Sequence, residues 1–144
     1  MNIVVDTCVL LDIFFKNRSR HSKAKKIGEY AIENNITITV TLFSIFEFSS
    51  GSKQERHNGS TEYKGINEKN ALKLNALDIN QEFFRKYFNA KLPYIKAGDC
   101  LLLSIAYKDK IPLITEDNHL YKKAKELNLE VYNIGEYIKK VNIG

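Results

Sequence analysis

Residues 1–15 read MNIVVDTCVLLDIFF, and the way this stretch divides decides the fold. Asn2 to Val5 is a short β-branched run without polar alternation, the pattern of a strand buried on both faces. Asp6-Thr7 is turn-like, and the apolar Val9, Leu10, Leu11 and Ile13 follow it. The stretch lacks a basic leader and a small-residue cleavage site, and Asp6 and Asp12 interrupt it, so it reads as the central strand of a core rather than as a signal.

Working outward, Ala24, Ile27, Tyr30 and Ala31 repeat at helical spacing over 22–34, where Asn34-Asn35 suits a helix exit. Residues 36–41 form a second apolar strand, and helical spacing resumes over 42–50. The polar stretch 51–65 reads as a surface loop or a frayed helix end. Helices are expected over 67–74 and 80–90, with a third strand over 75–79 between them. Beyond Pro93 the pattern gives a helix apolar on most faces over 98–107, a strand over 111–115, a helix over 118–127, a strand over 129–133 and a closing helix over 136–141. Strands alternating with helices, the strands continuously apolar, define an α/β chain with a parallel sheet and helices on both faces. The length of 144 residues suits a single domain spanning 1–144.

Four acids are similarly placed along this scheme, each just past a strand or at the start of a helix: Asp6, Glu47, Asp99 and Asp117. In an open parallel sheet such positions gather beyond the carboxyl ends of the strands. Each has a local explanation. Asp117 and Asp99 can cap helices, and Ser44-Ile-Phe-Glu47 fits a capping box. Asp6 and Glu47 fit those explanations worst, because apolar neighbours surround both and no Lys or Arg is apparent in the core to pair with them. Carboxylates crowded at one rim repel one another unless cations or protons neutralise them. Oxygen ligands without a His or Cys cluster select a hard cation, Mg²⁺ or Mn²⁺, over zinc.

The remaining composition narrows the chemistry. Two cysteines, Cys8 and Cys100, are too few for a disulfide framework, which points to a reducing cytoplasm, and both read as small buried residues beside the acids. No stretch is long and apolar enough to span a bilayer. Lys plus Arg at 22 against Asp plus Glu at 17 gives a net charge of +5, which favours polyanionic partners. Arg18, Arg20, Lys23, Lys25 and Lys26, with Lys53 and Arg56 further on, are the candidate phosphate contacts. Eight Tyr and eight Phe fall mostly at core spacing, as in the pairs Phe43/Phe46 and Phe84/Phe88, and His21, His57 and His119 sit in polar surroundings that suit the surface.

Taken together, Val4-Val5-Asp6-Thr7-Cys8-Val9-Leu10-Leu11, the later Glu47, Asp99-Cys-Leu-Leu-Leu-Ser-Ile-Ala106 and Leu113-Ile-Thr115-Glu-Asp117 resemble the PIN domain, and within it the small VapC-type toxins of toxin-antitoxin systems. The resemblance covers essentially the whole chain. It implies a three-layer α/β/α sandwich whose parallel sheet has strand order 3-2-1-4-5, an acidic metal pocket and endoribonuclease activity. Asp6, Glu47, Asp99 and Asp117 carry over as the acidic set, and Thr115 matches a hydroxyl residue beside the last acid. Cys8 stands where Ser or Asn is common, and Leu120 replaces a frequent Phe.

The implied reaction is hydrolysis of RNA phosphodiester bonds, with Asp6 and Asp99 as direct metal ligands, Asp117 completing the coordination and Glu47 positioning or deprotonating water. Thr7 and Thr115 would orient ligands or water from behind. The implied partners are RNA, a cognate antitoxin and a second copy of the chain. A housekeeping RNA-processing nuclease, a binding module without turnover and a phosphohydrolase using Asp6 as nucleophile stay open, although Cys8 stands where the last would need a second Asp.

Overall fold

The computed structural model describes residues 1–68 and 71–144. Asn2–Val5 forms β1, and Ile3, Val4 and Val5 are fully buried, as expected of a central strand covered on both sides. The apolar run after Asp6, read with the rest of its stretch as core strand, is instead helix α1, Thr7–Phe14. Asp6 caps it, and Val9, Leu10, Leu11, Ile13 and Phe14 are all buried.

There follow α2 (His21–Glu33), β2 (Thr37–Thr41), α3 (Leu42–His57), a short 3-10 turn (Lys64–Ile66), β3 (Leu74–Leu77) and α4 (Gln81–Tyr87). The chain continues with α5 (Ala97–Asp109), β4 (Leu113–Ile114), α6 (Asn118–Glu126), β5 (Val131–Tyr132) and α7 (Ile134–Lys140). The five strands are parallel in the order β3-β2-β1-β4-β5. One core cluster joins Ile3, Val5, Ile38 and Val40 of the sheet to α1, α2 and α7. The other joins Val4, Leu113 and Val131 to α4, α5 and α6. The result is an α/β/α sandwich whose strand order reverses direction between β1 and β4.

Three further local expectations change. Helix α3 runs on to His57 through much of the polar stretch expected to be loop or frayed end. A Cβ at Gly51 would lie 2.8 Å from Leu11 Cδ1, so the glycine lets α3 approach α1 closely while Lys53, Gln54, Glu55 and Arg56 supply helix-forming residues. The helix expected over 67–74 is replaced by a turn at its start and by β3 from Leu74; its residues 69 and 70 lie outside the described residues. Phe43, Phe46, Phe84 and Phe88 are exposed by 40%, 80%, 60% and 61%, so they are not core residues. On α4 the core is met by Phe83 and Tyr87 instead, while Phe84 and Phe88 stack on each other one position around the helix.

Candidate active site

The register of β1 and β4 pairs Val4 with Leu113 and Val5 with Ile114, so the next residues, Asp6 and Thr115, emerge side by side at the carboxyl edge. Asp6 Oδ1 accepts a hydrogen bond from the Val9 amide at 2.9 Å, and Oδ2 accepts one from the Thr115 hydroxyl. Thr115 Oγ1 in turn accepts from the Asp117 amide at 3.0 Å, and Asp117 Oδ1 caps α6 through the Leu120 amide at 2.8 Å. Two helix caps and one hydroxyl thus lock the β1 and β4 ends together. Leu120 is fully buried, in keeping with a packing role at that position.

The other side of the site comes from α3 and α5. Thr41, the last residue of β2, caps α3 by accepting from the Ser44 amide, so the capping box expected between Ser44 and Glu47 does not form. Glu47 lies one turn further along, exposed rather than buried, and its Oε1 accepts from the Thr7 hydroxyl at 2.9 Å. Asp99 is not the cap of α5: Lys96 holds that position without a side-chain bond, and Asp99 sits inside the first turn. A Cβ at Gly98 would lie 2.6 Å from Phe43 Cε1 and 3.7 Å from Glu47 Oε1, so glycine is what allows the starts of α3 and α5 to meet.

All four acids consequently line one cavity of about 310 Å³, together with Thr7, Cys8, Phe43, Lys96, Ala97, Gly98 and Leu102. Burial raises the pKa of Asp6 above the ordinary carboxylate value, its two hydrogen bonds oppose the shift, and the charges of Asp99 and Asp117 add to it. Asp99 is likewise pushed up, first by burial and then by Asp117, with Lys96 opposing and Glu47 reinforcing. Cys8 as a whole residue is exposed, contrary to expectation, but its thiol is partly covered, and that partial burial together with the Asp6 charge pushes its pKa up. Among the described residues, no three His, Cys, Asp or Glu side chains converge closely enough to grip an ion in the rotamers they adopt. The donor chemistry nevertheless fits a hard cation: four carboxylates and the Thr7 hydroxyl line the cavity, and burial, reinforced by mutual repulsion, raises the proton affinity of two of the acids.

The basic residues divide. Arg18 Nε lies 2.6 Å from Asp12 Oδ1 and Arg20 Nε 2.8 Å from Asp12 Oδ2, while Arg18 Nη1 also reaches Glu55 at 2.8 Å. Both arginines therefore serve a buried carboxylate; Arg18 is largely covered and has two acidic partners, whereas Arg20 bonds through Nε alone and keeps 43% of its side chain exposed. His21 is buried as well, its Nδ1 at 2.8 Å from the Asp12 carbonyl. Lys25 lies over the Tyr63 ring, and Arg56 pairs with Glu62 at 3.4 Å. Lys23 and Lys53 are exposed and Lys26 is half-buried. The sequence reading missed Asp12 as an ion-pair centre and Lys96 and Phe43 as cavity residues. Two arginines shortly after a buried acid were the available signal for the first; for the other two, only their closeness in sequence to Glu47 and Asp99 hinted at a role.

The profile of the PIN domain family matches residues 3–126, and the chain belongs to that family. PIN domains in general are nucleases. Among solved structures, the chain is similar to VapBC2 from Rickettsia felis bound to a DNA fragment from its promoter, at 18% identity and a TM-score of 0.58, covering 92% of this chain and 98% of that one. It is also similar to a PilT N-terminus domain protein from the hyperthermophilic archaeon Sulfolobus solfataricus, at 16% identity and a TM-score of 0.55, covering 97% and 92% respectively. At these identities the two structures share the fold. No curated protein matches the sequence.

Proposed function

We propose that the chain is a Mg²⁺- or Mn²⁺-dependent endoribonuclease acting as one domain, and the toxin of a VapBC-type pair. The observation that carries the reading is Asp6: it is buried, it has a hydroxyl and an amide but no cationic side chain as hydrogen-bond partners, and the like charges of Asp99 and Asp117 oppose its ionisation. Such a carboxylate calls for a cation from outside the chain. Asp6 and Asp99 would be the direct ligands, and Asp117 would complete the set with the oxygen that does not cap α6. Bound divalent metal would supply charge stabilisation at the non-bridging oxygens and lower the pKa of a water nucleophile.

The chain's own groups account for the remaining requirements. Thr7 holds Glu47 by its Oε1, so Oε2 can orient the attacking water or accept its proton. Thr115 fixes Asp6 and, through the Asp117 amide, the start of α6, which keeps two acids in register. Lys23, Lys26 and Lys53 would add phosphate contacts on the surrounding surface. No helix among the described residues is long and apolar enough to cross a membrane, which is compatible with the cytoplasmic site of action proposed here.

The antitoxin and the homodimer are proposed on the same basis: VapBC2 was solved as a toxin-antitoxin pair, and Phe84 and Phe88 form an exposed apolar pair suited to a protein surface. The decisive experiment is a metal-titrated cleavage assay on structured RNAs with wild type and Asp6→Asn side by side. Cleavage that needs Mg²⁺ or Mn²⁺ and disappears in a folded Asp6→Asn supports the reading. Equal RNA binding with and without metal, and no cutting, would replace it with a binding module.

A further inference from the structure

We infer that the acidic cavity contains a subsite for one unpaired nucleotide, in which Phe43 stacks on the base beside the scissile bond and Lys96 contacts its phosphate. The inference rests on the ribonuclease reading and adds two side chains of this chain that would hold the substrate beside the acids. Among the described residues lining the cavity, Phe43 is the one aromatic and Lys96 the one cation. Nucleotide recognition needs these two groups besides a metal: a flat apolar surface for the base and a positive charge for the phosphodiester.

Phe43 is placed as a platform rather than as core. The neighbouring Ser44 and Ile45 take the inward positions of the first turn of α3, while the Phe43 ring remains 40% exposed. One edge of the ring rests on Gly98, where even a methyl group would come within 2.6 Å of Cε1. The glycine backbone therefore holds the ring against the first turn of α5, between the elements that carry Glu47 and Asp99. A ring fixed in this way loses little freedom when a base stacks on it.

Lys96 stands at the entrance of the same turn. It caps α5 without a side-chain hydrogen bond, it is exposed, and it makes no ion pair with Asp99 among the described residues. Four acids repel an approaching phosphodiester, and an ammonium at their rim offsets that repulsion where the backbone must enter. Phe43 can reach a base only if that base is out of its helix, so the subsite selects loops, bulges and single strands. Every base presents a π-face, so Phe43 itself confers little sequence preference.

The test compares wild type, Phe43→Leu, Phe43→Trp and Lys96→Gln on a loop RNA and on copies with an abasic nucleotide on either side of the cleavage site. Phe43→Leu keeps apolar bulk against Gly98 but removes the aromatic face. It is expected to raise KM on the order of 10-fold with kcat nearly unchanged, and Phe43→Trp to restore it. The abasic substitution should cost wild type a similar factor at one flanking position and cost Phe43→Leu little more. Lys96→Gln should lower the slope of log KM against log salt by about one unit. Wild-type KM in Phe43→Leu, or equal abasic penalties in both proteins, overturns the inference while leaving the ribonuclease reading intact. Absence of RNA cleavage by wild type overturns both.

Discussion

Asp6 and Asp12 lie six residues apart, and folding buries both, with 6% and 1% of their surfaces exposed. Their surroundings are opposite. Arg18 and Arg20 close on the two oxygens of Asp12, and Glu55 takes up the second valence of Arg18. Asp6 receives a hydroxyl and an amide, and its charged neighbours in the cavity include two further acids. A buried charge must be compensated, so Asp12 is satisfied within the chain, while Asp6 has no cationic side chain bonded to it and must take up a proton or a cation from outside. Burial alone therefore does not mark a functional acid; the sign of the charges around it does.

Asp6→Asn carries the largest expected effect. Asparagine still caps α1 and keeps the volume, but removing the ligand charge should lower RNA cleavage on the order of 1,000-fold in single-turnover assays. The same variant should melt higher than wild type without metal, because an uncompensated charge is gone. Asp12→Ala should do the reverse. It strips two arginines of their partner and is expected to cost about 3 kcal/mol in urea unfolding, at the low end for a buried pair because Arg20 is partly exposed, with cleavage per folded molecule within a few-fold. Comparable activity losses in the two variants would erase the distinction.

Thr115→Val removes the donor to Asp6 and the acceptor for the Asp117 amide. A loss of about 1–3 kcal/mol in stability and of 10- to 100-fold in Mg²⁺ affinity by calorimetry is expected. The pH dependence separates the two aspartates more finely. The Asp6 pKa is raised in the folded state, so the folded protein holds its proton more tightly than the unfolded chain. Metal-free stability due to Asp6 is therefore greatest below its unfolded value and declines as pH rises toward its folded value. The difference in melting temperature between wild type and Asp6→Asn should grow over that range and shrink on adding Mg²⁺. Lys23→Ala and Lys26→Ala carry the smallest effects, a few-fold weaker RNA binding with a shallower salt dependence.

The alternation of strands and helices was readable because a fully buried strand is a short apolar run and a helix over a sheet repeats at 3–4 residues. The same rule fails inside MNIVVDTCVLLDIFF, where α1 is only eight residues long and so rich in apolar side chains that its period is hard to tell from a buried strand. It misleads at Phe43/Phe46 and Phe84/Phe88, because i, i+3 and i, i+4 spacing is the same whether a helix stripe faces the sheet or the solvent. The acids were legible as a set, since residues just past parallel strands share one edge. Their individual duties were not: Asp6, which capping rules explained least well, is a helix cap, and Asp99, which they explained readily, is not.

Short-range pattern is enough to define the α/β class and to mark Asp6, Glu47, Asp99 and Asp117, because period and position relative to a strand end are local properties. The strand order follows from the PIN resemblance once that pattern is in hand. The choice of partner for each charge depends on register and close approach between distant segments. Asp6 meets Thr115 across 109 residues through the β1–β4 register, and Arg18 meets Glu55 across 37 through the contact of α1 and α3 that Gly51 permits. Those long-range contacts decide that Asp12 is neutralised by the chain and that Asp6 is not.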